Sequence, residues 1–394
     1  MQLVERIWLK PTKELSSLCH KAKNLYNQAN YHVRQFYFTL EEYINYYDLQ
    51  VILKKQECYK VLPAQTSQQI LDLVSKNWKS FFQALKEYRI NPSKFQGRPK
   101  LPKYKEKDGE SIVIFTNQNT RIKEQYIHFP KLCNLQPIKT RLTQYQQIRI
   151  IPQPYGYMCE IVYNYHETDL HLNPDHVVGI DLGLENLITL VNNIGIAPII
   201  IKGGMLKSVN QFYNKINAQL QSVKDQQGYT FVTKKQRKLL EHRNHKIHDI
   251  FHKVSRKVIE YCKENDCGTI VIGYNEGWKQ EINIGKRNNQ NFVQISYLKL
   301  IRMIQYKAKM VGINVIVNEE SYTSKCSFLD NETIEKHEIY AGKRIKRGLF
   351  RTSSGQVINA DVNAGYNIIK KAIPTAYAYG IEDVVLRPIS VHFK

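Results

Sequence analysis

The sequence predicts an α/β chain plus a β-barrel, in two parts: a small split barrel interrupted by a helical insertion, then a domain in which strands and helices alternate. Two patterns predict this. Residues 1–175 mix short strand-like runs with long helical periodicities in no repeating order, whereas from residue 176 apolar strands alternate with amphipathic helices. A third observation bears on function. The 57 Lys and Arg against 35 Asp and Glu leave a net charge of +22 over 394 residues. That balance suits a polyanionic partner, of which nucleic acid is the commonest.

In the first part, Leu3–Lys10 alternates weakly and stops at Pro11, an edge strand. Leu15, Leu18, Ala22, Leu25, Tyr26 and Ala29 recur at helical spacing. Ile70, Leu71, Val74, Trp78, Phe81, Phe82 and Leu85 define a second helix over Gln65–Leu85. The segment Asn91–Lys107 carries three prolines, a glycine and many cations, and reads as a basic loop. Its Lys94, Arg98, Lys100 and Lys103 are candidate nucleic-acid contacts. Strands over Ser111–Phe115, Tyr126–Phe129, Ile148–Pro152 and Met158–Tyr165 complete the barrel. Rings lie among cations at His32, Arg34, Phe36, Tyr37 and Phe38. Such a mixture stacks bases and neutralises phosphates, although ordinary core packing also uses such rings.

In the second part, His176–Leu182 (HVVGIDL) is a buried strand. Leu187–Val191 and Pro198–Lys202 are two more, joined by Asn192-Asn193-Ile194-Gly195, and Gly203-Gly204 ends that hairpin. A long basic helical region, Leu206–Lys263, breaks near Gln226-Gln227-Gly228. Gly268–Ile272 (GTIVI) is a short apolar strand, residues 292–311 an amphipathic helix and Ile313–Val317 another strand. After a polar insertion at 321–357, Val362–Ala372 is the last helix. Three antiparallel strands followed by parallel crossovers is the ribonuclease H-like order. The expected domains are 1–175, 176–372 with that insertion, and a C-terminal tail, 373–394.

A nuclease of that fold needs a few carboxylates on strand ends and an adjoining helix, holding two Mg²⁺ about 3.5–4 Å apart. Asp181 interrupts the apolar VVGIDLG, with Gly179 and Gly183 leaving room for a phosphate backbone. A lone buried Asp is unfavourable unless paired or metal-bound. Asp361 lies in NADVNA just before the last helix. Alone, each has a local alternative, a strand-end turn for Asp181 and a helix cap for Asp361. Together they point to a metal site.

GIDLG, the long basic helix, the Tyr322-Thr323-Ser324 turn and NADVNAGYNI, in this order, resemble the TnpB family. These are OrfB-type insertion-sequence proteins related to the type V CRISPR effectors. The resemblance spans most of the chain and implies a split barrel with a helical recognition lobe, then a RuvC-like nuclease. It implies an RNA-guided DNA endonuclease with guide RNA from the transposon end, double-stranded target DNA, a short target-adjacent motif and one Mg²⁺-dependent site. In most of the family a Glu ends the strand corresponding to GTIVI; here Gly273 stands there. The neighbouring strand ends in Glu319 and Glu320. Strand alternation sends these to opposite faces, so the expected site is Asp181, Glu320 and Asp361, with Glu319 and Glu276 in reserve. The family usually has two CxxC pairs between the YTS turn and the last Asp; here only Cys326 remains. One thiolate does not make a tetrahedral zinc site, so no zinc is expected. Two other functions fit the same residues: a nuclease-dead RNA-guided DNA-binding repressor, and a DNA transposase proper.

The remaining signals are weaker. His242, His245, His248 and His252 recur at helical spacing, but among Arg243, Lys246, Lys253 and Arg256 they read as a nucleic-acid-facing basic helix rather than a metal stripe. Lys279, Lys286 and Arg287 lie in a polar loop beside the expected site, a candidate lid or single-strand contact. Lys343, Arg344 and Arg347 lie in the insertion, as candidate phosphate contacts. The seven cysteines are scattered without a CxxC, which argues for reduced thiols in a cytoplasm. No apolar run approaches about 18 residues, the length of a membrane span. Met1–Arg6 precedes no apolar stretch, so no signal peptide is expected.

Overall fold

The computed structural model describes residues 1–40, 42–275, 295–378 and 386–392. The chain divides into two units, Met1–Tyr165 and His166–Lys394. No helix among the described residues is long and apolar enough to cross a membrane.

The first unit opens with β1 (Gln2–Leu9) and α1 (Lys13–Leu40), followed by α2 (Tyr46–Leu53), α3 (Glu57–Lys60) and α4 (Ala64–Ile90). β2 (Val113–Thr116), β3 (Arg121–Lys123), β4 (Tyr126–His128), β5 (Ile138–Lys139), β6 (Gln147–Gln153) and β7 (Gly156–Asn164) complete it. An antiparallel sheet runs in the order β1-β7-β6-β2, and β3-β4-β5 form a separate small sheet. β1 is an edge strand, as Pro11 requires. The apolar stripe of α1 continues past Ala29 through Val33 to Tyr37, whose ring packs on Trp78 and Phe82 of α4 at 5.6 and 5.7 Å. Tyr37 is therefore core, while Phe38 stays exposed with the Arg34 guanidinium 5.7 Å from its ring. The short α2 escapes periodicity analysis, but Asn45 and Asp48 form a capping box at its start.

The second unit has β8 (Asn173–Leu182), β9 (Asn186–Asn192), β10 (Ile199–Lys202), α5 (Gly204–Gln226), α6 (Lys234–Glu264) and β11 (Cys267–Gly273). α7 (Tyr297–Lys309), β12 (Asn314–Asn318), β13 (Lys343–Lys346), β14 (Leu349–Arg351), β15 (Val357–Asn359), α8 (Ala360–Ala372) and β16 (Ile389–Val391) follow. The main sheet runs β12-β11-β8-β9-β10-β16. β8, β9 and β10 are antiparallel neighbours, while β11 joins β8, β12 joins β11 and β16 joins β10 in parallel. The expected tail thus contributes a strand, which its three short apolar-alternating residues do not advertise. The insertion is ordered by its own sheet, β13-β14-β15.

Strand alternation divides the core of this unit. Val178, Ile180 and Leu182 join the buried side chains of α6 and α7, including Phe251, Val258, Leu300 and Ile304. Val177, Val191 and Val271 pack on the other face against Val362, Tyr366 and Ile369 of α8. Gly179 lies on that second face. A Cβ there would sit 2.6 Å from Ile369 Cγ1 and 2.7 Å from the Gly365 carbonyl oxygen. A Cβ at Gly183 would sit 2.5 Å from the Asn186 carbonyl oxygen. The close crossing of α8 and the tight β8–β9 turn account for these glycines, and Gly183 also borders the cavity beside Asp361.

Candidate active site

Asp181 lies at the end of β8, opposite Thr189 of β9, on the α8 face. β11 runs parallel beside β8, pairing Ile272 with Ile180, which brings Gly273 to the level of Asp181. β12 pairs Asn318 with Gly273, so the chain leaves this strand two residues before Glu320. The Tyr274 N–H extends that ladder by donating to the Asn318 carbonyl oxygen at 2.9 Å, and the Glu320 N–H donates to Asn275 Oδ1 at 3.0 Å. These bonds fix the backbone on either side of the carboxylates.

The two glutamates diverge. Glu319 is half exposed and accepts from Lys371 Nζ at 2.6 Å. Glu320 turns inward: its Oε2 lies 2.8 Å from the point where a Cβ on Gly273 would stand. A carboxylate from the neighbouring strand thus fills the space into which a side chain at 273 would project. Burial, then the Glu319 charge, pushes the Glu320 carboxyl up to about 7, against the opposing effect of Lys371. Burial also raises Asp181 well above the usual carboxylate range, followed by the charges of Asp361 and Glu320, with Arg344 opposing them. Asp181, Glu320 and Asp361 therefore share one electrostatic environment.

Asp361 is not the cap of α8. Asn359 is, its Oδ1 accepting from the Asp361 and Val362 N–H groups at 2.9 and 3.2 Å, which leaves the Asp361 carboxylate free to face the sheet end. That carboxylate accepts from Asn186 Nδ2 at 2.5 Å and lies 3.8 Å from Arg344. A cavity of about 480 Å³ opens beside it, bordered by Lys202, Arg344, Arg347, Glu185 and Asn186. Arg347 reaches Glu185 at 3.1 Å, and Lys207 also pairs with Glu185. Among the described residues, no three Asp, Glu, His or Cys side chains converge into a ready-made metal cage.

Several supporting residues carry no signal as single letters. Asn363 and Asn367, one turn apart on α8, bind the YTS turn and the segment just after it. Asn363 accepts from the Phe328 N–H at 3.0 Å and donates to the Cys326 carbonyl at 2.8 Å; Asn367 donates to the Thr323 and Cys326 carbonyls at 2.9 and 2.8 Å. The Tyr297 hydroxyl donates to the Gly183 carbonyl at 3.0 Å, holding the turn that follows Asp181. The i, i+4 spacing of the two asparagines is the one clue the sequence offered.

The expected nucleic-acid contacts divide by their surroundings. Arg98, Lys100, Lys103 and Lys246 are exposed. Lys94 pairs with Glu87 at 2.7 Å, Lys253 with Asp249 at 2.9 Å and Arg256 with Glu260 at 4.0 Å, and all three stay exposed. Arg243 does not point outward: its Nε donates to buried Asn210 at 2.8 Å and its guanidinium lies 5.2 Å from the Tyr213 ring, so it ties α6 to α5. Lys343, Arg344 and Arg347 are exposed on the insertion, the two arginines bordering the cavity. Glu276, Lys279, Lys286 and Arg287 lie outside the described residues.

Residues 160–279 match the OrfB_IS605 family, described as a probable transposase, and residues 297–368 match the Cas12f1-like TNB domain. The chain is similar to TnpB-like and Cas12f proteins. It is 25% identical over 207 residues to the TnpB-like protein ORF457 of Acidianus two-tailed virus, covering 50% of this chain but only 42% of that protein. It is 24% identical to the CRISPR-associated endodeoxyribonuclease Cas12f1 of Syntrophomonas palmitatica, over 94% of this chain and 84% of that one. A solved Cas12f1–sgRNA–target DNA complex matches with a TM-score of 0.57 and 15% identity, over 90% of this chain and 81% of that chain. At that identity the likeness is one of fold: a mixed α/β chain built like Cas12f1.

Proposed function

We propose that this TnpB-like chain is an RNA-guided DNA endonuclease encoded by an insertion sequence, cutting with one ribonuclease H-like (RuvC) site formed by Asp181, Glu320 and Asp361. The observation that carries the reading is Glu320 Oε2 at 2.8 Å from a side-chain position on Gly273. A strand end that lacks its own carboxylate receives one from its neighbour, so the negative cluster is rebuilt rather than lost. A nuclease-dead protein has no need for a replacement. The first unit, with its exposed basic loop and its sheet read as the split barrel, would bind guide RNA and the target-adjacent duplex. Base pairing would then supply sequence choice. The protein would act in the cytoplasm of its host.

The donor set fits Mg²⁺: three carboxylates, hard oxygen ligands on strand ends and a helix start, with Asp181 raised first by burial and then by the charges of Asp361 and Glu320. When bound, the divalent cation supplies an activated water and offsets charge on the leaving oxygen. The chain's own residues do the rest. Asp181, Glu320 and Asp361 would hold the cation. Lys202, Arg344 and Arg347 bring positive charge to the cavity beside Asp361, where a backbone phosphate would lie. Asn359 and Tyr297 keep the helix start and the β8–β9 turn in place.

The test is plasmid cleavage. The chain, expressed with its flanking DNA and purified as a ribonucleoprotein, is given a guide-matched plasmid library with randomised flanks, with Mg²⁺ or EDTA. Mg²⁺-dependent cutting enriched for one flank is expected. Guide-dependent binding without cutting would refute the nuclease reading and leave a repressor. Cutting or joining that needs no guide would point to a transposase. Within the site, Glu320→Ala should abolish cutting and Glu319→Ala should not; the reverse result would sink the assignment.

A further inference from the structure

Asn186 is nine-tenths buried on β9, beside the site but carrying no charge and no reactive group. Both ends of its amide are engaged. Its Oδ1 accepts from Lys202 Nζ at 2.9 Å and its Nδ2 donates to Asp361 Oδ2 at 2.5 Å. The order of this chain is fixed by chemistry. A lysine ammonium can only donate, so it requires the amide oxygen on its own side. The amide nitrogen is thereby forced toward the carboxylate. A carboxylate facing an amide N–H₂ is held in one orientation, here with its Oδ1 on the side of Arg344, 3.8 Å away. Lys202 and Asn186 come from adjacent antiparallel strands and pair across a register shift between Ile201 and Lys202, so the strand pairing with its irregularity sets their separation.

We infer that Asn186 and Lys202 form a positioning relay for Asp361: the ammonium orients the amide, and the amide orients the carboxylate toward the cation. The inference rests on the metal site proposed above. Neither residue touches the cation; both act through Asp361. Groups that orient metal ligands in this way typically change metal affinity by about 10–100-fold when removed.

The experiment measures Mn²⁺ binding by electron paramagnetic resonance on the full chain without nucleic acid, with Asp181→Ala defining the signal that belongs to the site. Asn186→Leu keeps the branched shape and removes both hydrogen bonds. It should weaken that binding about tenfold or more. Lys202→Met leaves the amide free to turn and should weaken it by a smaller factor. The double variant should be no weaker than Asn186→Leu alone, because the ammonium acts only through the amide. Circular dichroism reports folding, and Asn186→Ala replaces Asn186→Leu if the latter does not fold. Affinity within twofold of wild type in the folded Asn186 variant would overturn the relay. So would losses that multiply in the double variant. A wild-type chain without any Mn²⁺ signal removed by Asp181→Ala has a different signature: it overturns the metal site, and the relay with it.

Discussion

Gly273→Ala adds a single carbon at the point where the site departs from the pattern it resembles. That carbon would stand 2.6 Å from Ile368 Cδ1 and 2.8 Å from Glu320 Oε2. Both contacts are with side-chain ends rather than backbone, so the fold can absorb them. The Ile368 contact is an overpacking of the kind that costs about 1–3 kcal/mol. The Glu320 contact has a chemical consequence. Ordinary contact begins at 3.4 Å, so the carboxylate must retreat from 2.8 Å by about 0.6 Å. Catalytic groups need placement within about 0.5 Å, and a displacement of about 1 Å costs roughly 100-fold. The expected loss in cutting rate is therefore about 10- to 100-fold, or about 1.4–2.7 kcal/mol on the barrier. The assay is single-turnover linearisation of a guide-matched plasmid at saturating Mg²⁺, with target binding measured alongside. A Gly273→Ala protein that folds, binds target normally and cuts within twofold of wild type would refute the reasoning, because Glu320 would then have no role at that position.

Moving the carboxylate back is a complementary test: Gly273→Glu combined with Glu320→Ala should recover part of the cutting lost in Glu320→Ala, measured in the same assay, and no recovery would count against the shared location. Gly179→Ala should destabilise the second unit by about 3 kcal/mol or more, since its Cβ meets the Gly365 backbone oxygen at 2.7 Å and neither strand nor helix can yield cheaply; a melting curve unchanged from wild type contradicts this. Asn367→Ala should cost about 1–3 kcal/mol by removing the side-chain donor to the Thr323 carbonyl, while the Cys326 carbonyl keeps Asn363, read as a lower denaturant midpoint. Metal-free stability should fall as pH rises between about 4.5 and 7, because folded Glu320 retains a proton that the unfolded chain releases over that range; Glu320→Gln should flatten the slope, and an equal slope in both proteins would exclude Glu320 as its source.

Much of the second unit was legible because its strands are buried and its helices amphipathic. HVVGIDL, GTIVI and the segment after residue 313 are apolar runs bounded by turns, and each became a strand of the main sheet. What escaped has physical reasons. β16 has only three residues and gains its place by pairing with β10, a contact between distant parts of the chain. The insertion reads as polar loop because β13 is exposed along its whole length, and its order comes from pairing with β14. Tyr37 sits in a row of rings and cations, and only the position of α4 shows that it is core. Arg243 looks like its basic neighbours, yet it lies where α5 passes and bonds inward. Within the site, the two aspartates carry their own motif context, whereas Asn186 and Lys202 gain meaning only from the pairing of β9 with β10.

The relocation of the glutamate proposed above would follow from how a parallel sheet presents its strand ends. Adjacent strands lie about 4.7–4.9 Å apart, less than the reach of a glutamate side chain and the turn that carries it. A carboxylate two residues beyond β12 can therefore occupy the space in front of β11, provided β11 places no side chain there. Glycine at 273 is the one residue that satisfies this condition, and Asn275 supplies the bond that fixes the Glu320 backbone. In the proposed site, the absence of a glutamate at one strand end and its presence at the next form a single arrangement. Restoring a side chain at 273 without removing Glu320 should damage the site, and removing Glu320 without restoring a carboxylate at 273 should empty it. A nuclease in decay carries no such reciprocal dependence, which is why the paired substitutions separate a rebuilt site from a lost one.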